Sequence, residues 1–176
     1  MKRLSLGLLG LFAAANLFGQ TVPPAKTHLK VGDMAPDFNL NSTQGGKVKL
    51  SDFRGKKNVV LFFYPKDDSP GCTVEACTFR DAYEDFVDAG AEVIGVSSDS
   101  LADHAAFAGK HQLPMQLLSD DGGRVRAQYG VKSTLGILPG RETFIIDKDG
   151  VVRHVFRSQL RFKNHVVESL AVLHSL

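Results

Sequence analysis

The chain has 176 residues, of which 43% are hydrophobic and 23% charged, with 21 basic and 19 acidic side chains. That is one domain's length with an ordinary core-forming composition. Setting aside the first twenty residues removes Lys2 and Arg3, leaving 21 − 2 = 19 basic against 19 acidic side chains. With no basic block in the remainder, a nucleic-acid-binding function has no electrostatic footprint.

Lys2 and Arg3 precede an uncharged apolar run, Leu4–Ala15, which ends in small residues and leaves through a polar stretch, Gln20–Pro24. Residues 1–20 therefore read as a secretory signal peptide, the run being short of the roughly 20 residues a transmembrane helix needs. An uncleaved membrane anchor is the competing reading. The leader sets the expectation of a periplasmic or other extracytoplasmic or lumenal location, with no stable membrane insertion after cleavage. Residues 21–28 read as a linker and 29–176 as a single domain.

Within that domain, Val31–Leu40 and Lys47–Leu50 are strand-like runs flanking a Gln44-Gly45-Gly46 turn. Asn58–Tyr64 is a continuous run of β-type apolar residues, the mark of a central strand covered on both faces. A helix is predicted from about Cys72 to Ala89, with Ala76, Phe79, Tyr83, Phe86 and Val87 as its buried stripe. Ala91–Ser97 follows as a strand, Leu101–His111 as a helix, Met115–Ser119 as a strand and Arg124–Tyr129 as a short helix. Glu142–Ile146 and Val151–Phe156 read as a hairpin turning through Asp147-Lys148-Asp149-Gly150, and Asn164–Leu173 as a closing amphipathic helix. The order βαβ…ββα predicts an α/β protein of thioredoxin-like fold, a mixed central sheet flanked by helices. That fold hosts several chemistries and does not decide function.

The two cysteines carry the functional reading. Cys72 falls where the central strand passes through a Pro/Gly turn into a helix. A sulfur there meets unpaired backbone N–H groups and the positive end of the helix dipole, which favours the nucleophilic thiolate. Cys77 shares a helical face with Arg80, Asp81, Glu84 and Asp88 and is expected to point to solvent. Five residues of helix separate two Cα atoms by about 7.5 Å, beyond the roughly 7 Å reach of a disulfide. A Cys72–Cys77 bond thus requires the first helical turn to unwind, as in a switch rather than a structural staple. Ser69 is placed to present a hydroxyl to the sulfur or a bound oxygen, and Pro65 and Pro70 to stiffen the loop. Arg141, at the start of a strand, can bring a fixed charge beside Cys72, and Glu75, one turn along, can orient that arginine. Taken alone, Arg141 reads better as one half of a surface ion pair.

Pro65-x-x-x-Ser69-x-x-Cys72 resembles the active-site motif of the peroxiredoxins. The wider string FFYPKDDSPGCTVEACTFRD, together with LPMQLLSDDGGRVRAQYGV and LPGRETFIIDKDGVV, resembles the peroxiredoxin Q, or bacterioferritin comigratory protein, subgroup. The resemblance runs over about residues 29–173. It implies Cys72 as peroxidatic and Cys77 as resolving cysteine, with Pro65, Ser69, Arg141 and Glu75 as the other active-site residues. Ser69 stands where threonine is commoner. It further implies a peroxide substrate, an intramolecular disulfide, a thioredoxin-like reductant, no cofactor or metal, and a monomer, a dimer being the alternative.

Two other functions compete. A copper-delivery protein on the same fold would use soft thiolates and a histidine, but with three residues between its cysteines where four stand here, and the six histidines lack ligand spacing. A thiol–disulfide oxidoreductase would carry Cys-x-x-Cys. A non-catalytic binding module leaves the grouping of Ser69, Cys72 and Arg141 unexplained.

Overall fold

The computed structural model describes residues 28–133 and 136–176. The signal peptide and most of the linker expected from the sequence lie outside the described residues. The first pair of strands, β1 (Asn39–Ser42) and β2 (Lys47–Lys49), forms a hairpin in which Leu40 faces Val48. Its turn uses Gly45 and Gly46 at φ of 93° and 68°, a backbone region open to glycine at no steric cost. The strand expected from Val31 starts only at Asn39, although Met34 makes an isolated bridge to Val151.

The apolar run becomes β3 (Asn58–Phe63), buried along its whole length. It is followed by α1 (Pro70–Asp81), α2 (Tyr83–Asp88) and β4 (Ala91–Ser97), which pairs parallel to β3. Then come α3 (Leu101–His111), β5 (Gln116–Ser119), α4 (Arg124–Gln128), β6 (Glu142–Ile146), β7 (Val152–Arg157) and α5 (Asn164–Leu173). The strands form one mixed sheet in the order β2-β1-β5-β4-β3-β6-β7, in which β3 and β5 each pair parallel to β4 and antiparallel on their other side.

Strand alternation splits β3 between two cores. Val59, Leu61 and Phe63 join Phe38, Val125, Tyr129 and Phe144 on one face. Val60, Phe62 and Tyr64 join Phe79, Phe86, Phe107, Val166 and Cys72 beneath α1, α2, α3 and α5 on the other. The Phe62 and Phe79 rings stack with centroids 4.4 Å apart and lock α1 onto the sheet.

The single helix expected over Cys72–Ala89 is two. Ala82, at φ −104° and ψ 13°, breaks it and resets the rotation of α2. Phe86 is buried against Phe79, whereas Val87 of the expected stripe is 49% exposed and Tyr83 is half-buried. No glycine or proline marks the break; packing of the two phenylalanines overrides alanine's helix preference.

Candidate active site

The loop leaving β3 delivers Cys72 to the start of α1. Ser69 is the N-cap, in extended conformation, and Pro70 takes the first helical position, where its missing N–H costs nothing. Cys72 is therefore the third helical residue, facing inward and only 1% exposed. Antiparallel pairing of Phe63 with Glu142 brings the residue just before β6 level with the exit of β3. That residue is Arg141, 4% exposed, whose Nη2 donates to the Cys72 sulfur at 3.1 Å. Its Nη1 donates to Oε2 of Glu75, one turn further along α1. Charge-assisted bonds of this kind hold a guanidinium at a fixed angle to the sulfur.

The carboxylate and its neighbours form a dry polar cluster. Burial pushes the Glu75 carboxyl up, to about 8, with Arg141 pulling in the opposite direction. The Glu75 Oε1 atom lies 3.5 Å from Nδ1 of His165, which accepts from the Thr143 hydroxyl, while Nε2 of His165 donates to the Ser158 carbonyl. Desolvation, with the Arg141 charge adding to it, lowers His165 to about 4, so the ring is neutral near pH 7. The Phe162 ring covers the guanidinium at 4.9 Å. The same ring lies 2.6 Å from where a Cβ on Gly71 would stand, so the helix start and this ring fit only because position 71 is glycine.

A second arginine braces the site. Arg126 on α4 donates from Nη2 to the Tyr64 carbonyl at 2.5 Å and from Nη1 to the Gly140 carbonyl at 2.6 Å. These carbonyls precede Pro65 and Arg141, so one guanidinium ties together both backbone approaches to Cys72. Gly140 is required here, since a Cβ would sit 2.0 Å from the Lys132 carbonyl oxygen. Asp67 anchors the loop from the other side, accepting from the Tyr64 hydroxyl and pairing with Nδ1 of His104, both at 2.7 Å. Asp67, Asp99 and His104 bring ligand atoms within 4.8 Å of one another. His104 faces Asp67 through Nδ1 and the Leu118 carbonyl through Nε2, which ties the loop to α3 and β5.

Of the residues singled out from the sequence, the fold brings Cys72, Arg141 and Glu75 into direct contact. Pro65 opens the loop just after the Tyr64 carbonyl held by Arg126. The Ser69 hydroxyl donates back to the Lys66 carbonyl at 2.9 Å, bracing the turn and keeping its oxygen lone pairs as acceptors. Cys77 differs from expectation: it is half-buried, its sulfur 3.9 Å from Nδ1 of His111 on α3, because the end of α3 packs over that face of α1. Both cysteines are free thiols within one unbroken helix. The sequence reading missed Arg126, His165, Phe162 and His111. Phe162 alone left a trace, as the one aromatic residue in the short loop ahead of α5.

A free thiol presented at a helix N-terminus to a buried arginine, on a mixed sheet between helices, defines a redox protein that works through cysteine sulfur. The AhpC/TSA family profile matches residues 31–155, and the chain belongs to that family, as a peroxiredoxin of the peroxiredoxin Q type. It is similar to chloroplastic peroxiredoxin Q of Triticum aestivum, 50% identical over 177 residues, covering 95% of this chain and 81% of the relative. With that of Sedum lineare it shares 52% identity, over 82% of this chain and 78% of the relative. Among solved structures, peroxidoxin BcpB of Mycobacterium tuberculosis superposes with a TM-score of 0.78 at 40% identity, covering 85% of this chain and 99% of that one. A cysteine mutant of the Xylella fastidiosa PrxQ gives 0.77 at 28% identity, over 84% and 97% of the two chains. The fold is thus the thioredoxin fold of the peroxiredoxins, and the protein is a thiol-dependent peroxidase.

The expected location is corrected by these relatives. They are named chloroplastic, and the wheat match is long enough to reach into the N-terminal segment. Those names give the relatives an organellar location and no export, and the extracytoplasmic assignment is set aside. Among the described residues no helix is long and apolar enough to cross a membrane.

Proposed function

We propose that Cys72 is the peroxidatic cysteine and Cys77 the resolving cysteine of an intramolecular two-cysteine cycle. The observation that carries this is the 3.1 Å bond from Arg141 to the Cys72 sulfur at the start of α1. The Cys72 thiolate attacks the nearer peroxide oxygen as the O–O bond breaks. Arg141 stabilises the charge moving onto the departing oxygen, which takes up a proton from solvent. The Ser69 oxygen is available as a hydrogen-bond acceptor for the peroxide O–H, whose proton stays on the attacked oxygen. Water or an alcohol leaves and Cys72 is a sulfenic acid. The first turn of α1 then unwinds, Cys77 attacks the sulfenic sulfur, and water departs as the disulfide forms. A thioredoxin-like dithiol reduces that disulfide by exchange.

The test starts from fully reduced protein and one equivalent of hydrogen peroxide, followed by peptide mass mapping. A 72–77 bridge, lighter by about 2 Da than the dithiol, is expected in the wild type. Cys72→Ser should lose peroxide turnover, and Cys77→Ser should consume about one peroxide per chain and stop at sulfenic acid. Near-normal turnover by Cys72→Ser would remove the assignment.

A further inference from the structure

Cys77 sits in a polar arrangement of its own. Nδ1 of His111 lies 3.9 Å from the Cys77 sulfur, and Nε2 of the same ring lies 3.3 Å from Oδ1 of Asp68 in the loop ahead of α1. A carboxylate facing Nε2 keeps the proton on that nitrogen and leaves Nδ1 as a lone pair aimed at the thiol. Hydrogen bonds from Lys110, first, and from His111 hold the Asp68 carboxyl below the usual carboxylate range, so it is present as the anion. The edge of His111 also rests on Phe107, with centroids 5.0 Å apart, which fixes the ring plane. A carboxylate, an imidazole and a thiol thus stand in line, the order that activates nucleophiles on unrelated folds.

We propose that His111 is the catalytic base of the resolution step, taking the Cys77 proton while Asp68 holds its tautomer; this rests on the reading of Cys77 as the resolving cysteine. The Sγ–H proton passes to Nδ1, and the Cys77 thiolate supplies the electron pair of the new S–S bond. The S–O bond of the Cys72 sulfenic acid breaks, its electrons leaving with the oxygen. That oxygen takes up the proton held on His111 and departs as water, returning a neutral imidazole.

The packing lets this contact survive the unwinding that brings the sulfurs together. The half of α1 that carries Cys77 is fastened by buried Phe79 and by Arg80, whose Nη1 donates to the His111 backbone carbonyl at 2.8 Å. The first turn, ahead of Cys77, is the part that must open. The charged groups facing the pair are Arg80 with its partner Asp81 on α1, Lys110 on α3 and Asp68 on the loop.

The test is a single-turnover time course on the reduced full chain, with sulfenic acid and disulfide separated by acid quench and mass spectrometry between pH 6 and 10. A free thiol ionises near pH 8.5, so only a few per cent is thiolate at pH 7 and loss of the base slows resolution by at most about thirtyfold. His111→Gln should show a ten- to thirtyfold slower conversion of sulfenic acid to disulfide at pH 7, approaching the wild-type rate above about pH 9. Asp68→Asn, at an exposed position, should show the same pH-dependent loss at smaller size. Wild-type conversion at pH 7 in His111→Gln, or a slowing equal at every pH, overturns the proposal. A wild-type protein that forms no 72–77 disulfide overturns the two-cysteine reading, and this proposal with it.

Discussion

Arg141 reaches the sulfur of Cys72 from 69 positions away in sequence, donating to it at 3.1 Å while its other terminal nitrogen holds Glu75. The arginine is therefore at once the hydrogen-bond donor to the sulfur and the partner of a buried carboxyl. Arg141→Lys keeps the charge and loses the planar fork. The second-order rate of Cys72 oxidation, followed by stopped flow, should fall about 10²- to 10³-fold, the usual loss for one preorganised donor. An unchanged peroxide rate would remove Arg141 from the chemistry.

Gly71 and Phe162 are matched by contact. In Gly71→Ala the new methyl meets ring atoms at 2.6 Å, and overpacking of this kind costs about 1–3 kcal/mol. Phe162→Ala in the same chain removes the obstacle. The double mutant should recover much of the thermal stability lost by Gly71→Ala, which a double-mutant cycle measures. Additive losses would show that the ring already swings clear of the helix start.

Arg126 joins the Tyr64 and Gly140 carbonyls through hydrogen bonds of 2.5 and 2.6 Å. Arg126→Met keeps the length and leaves two carbonyl acceptors without this donor. A loss of about 3 kcal/mol is expected in urea denaturation. The peroxide rate should fall as well, because the backbone on both sides of the site loosens. A stability loss with no change in rate would confine Arg126 to a structural role.

The neutral state of His165 gives folding a pH dependence. Its folded value is about 4 against 6.5 for the free side chain, so between these limits the unfolded chain binds the extra proton. The contribution is complete above 6.5 and is lost as pH falls towards 4, amounting to roughly 3 kcal/mol for this fully buried ring. Glu75, raised to about 8, gives an opposing slope above pH 4.5. The His165 contribution is therefore read as the difference in unfolding free energy between the wild type and His165→Asn, and the wild type should lose ground to the mutant as pH falls from 6.5 to about 4. Parallel slopes would place the titration elsewhere.

Much of this architecture was legible in the residues themselves. The limits of β4, β6, α3 and α5 match those read from the sequence residue for residue, because β4 and β6 are short segments buried on both faces and α3 and α5 each carry one buried stripe. The reactive end of α1 was equally readable, since proline, glycine and cysteine at a strand-to-helix turn act through local backbone geometry. The reach of that reasoning ended at Ala82, where two phenylalanines competing for one core break a helix that every local preference would continue.

By itself the sequence determined the order of the elements, the central strand and a cysteine poised at a helix start, all set by interactions among near neighbours. Only the tertiary structure decided what surrounds that cysteine. The register of β3 against β6 places Arg141 at the sulfur, and the packing of α3 on α1 turns Cys77 towards His111. A periodic pattern says which face of an element is buried. It carries no information about which residue of another element will lie opposite, because that is settled by how the whole set of faces closes around the two cores.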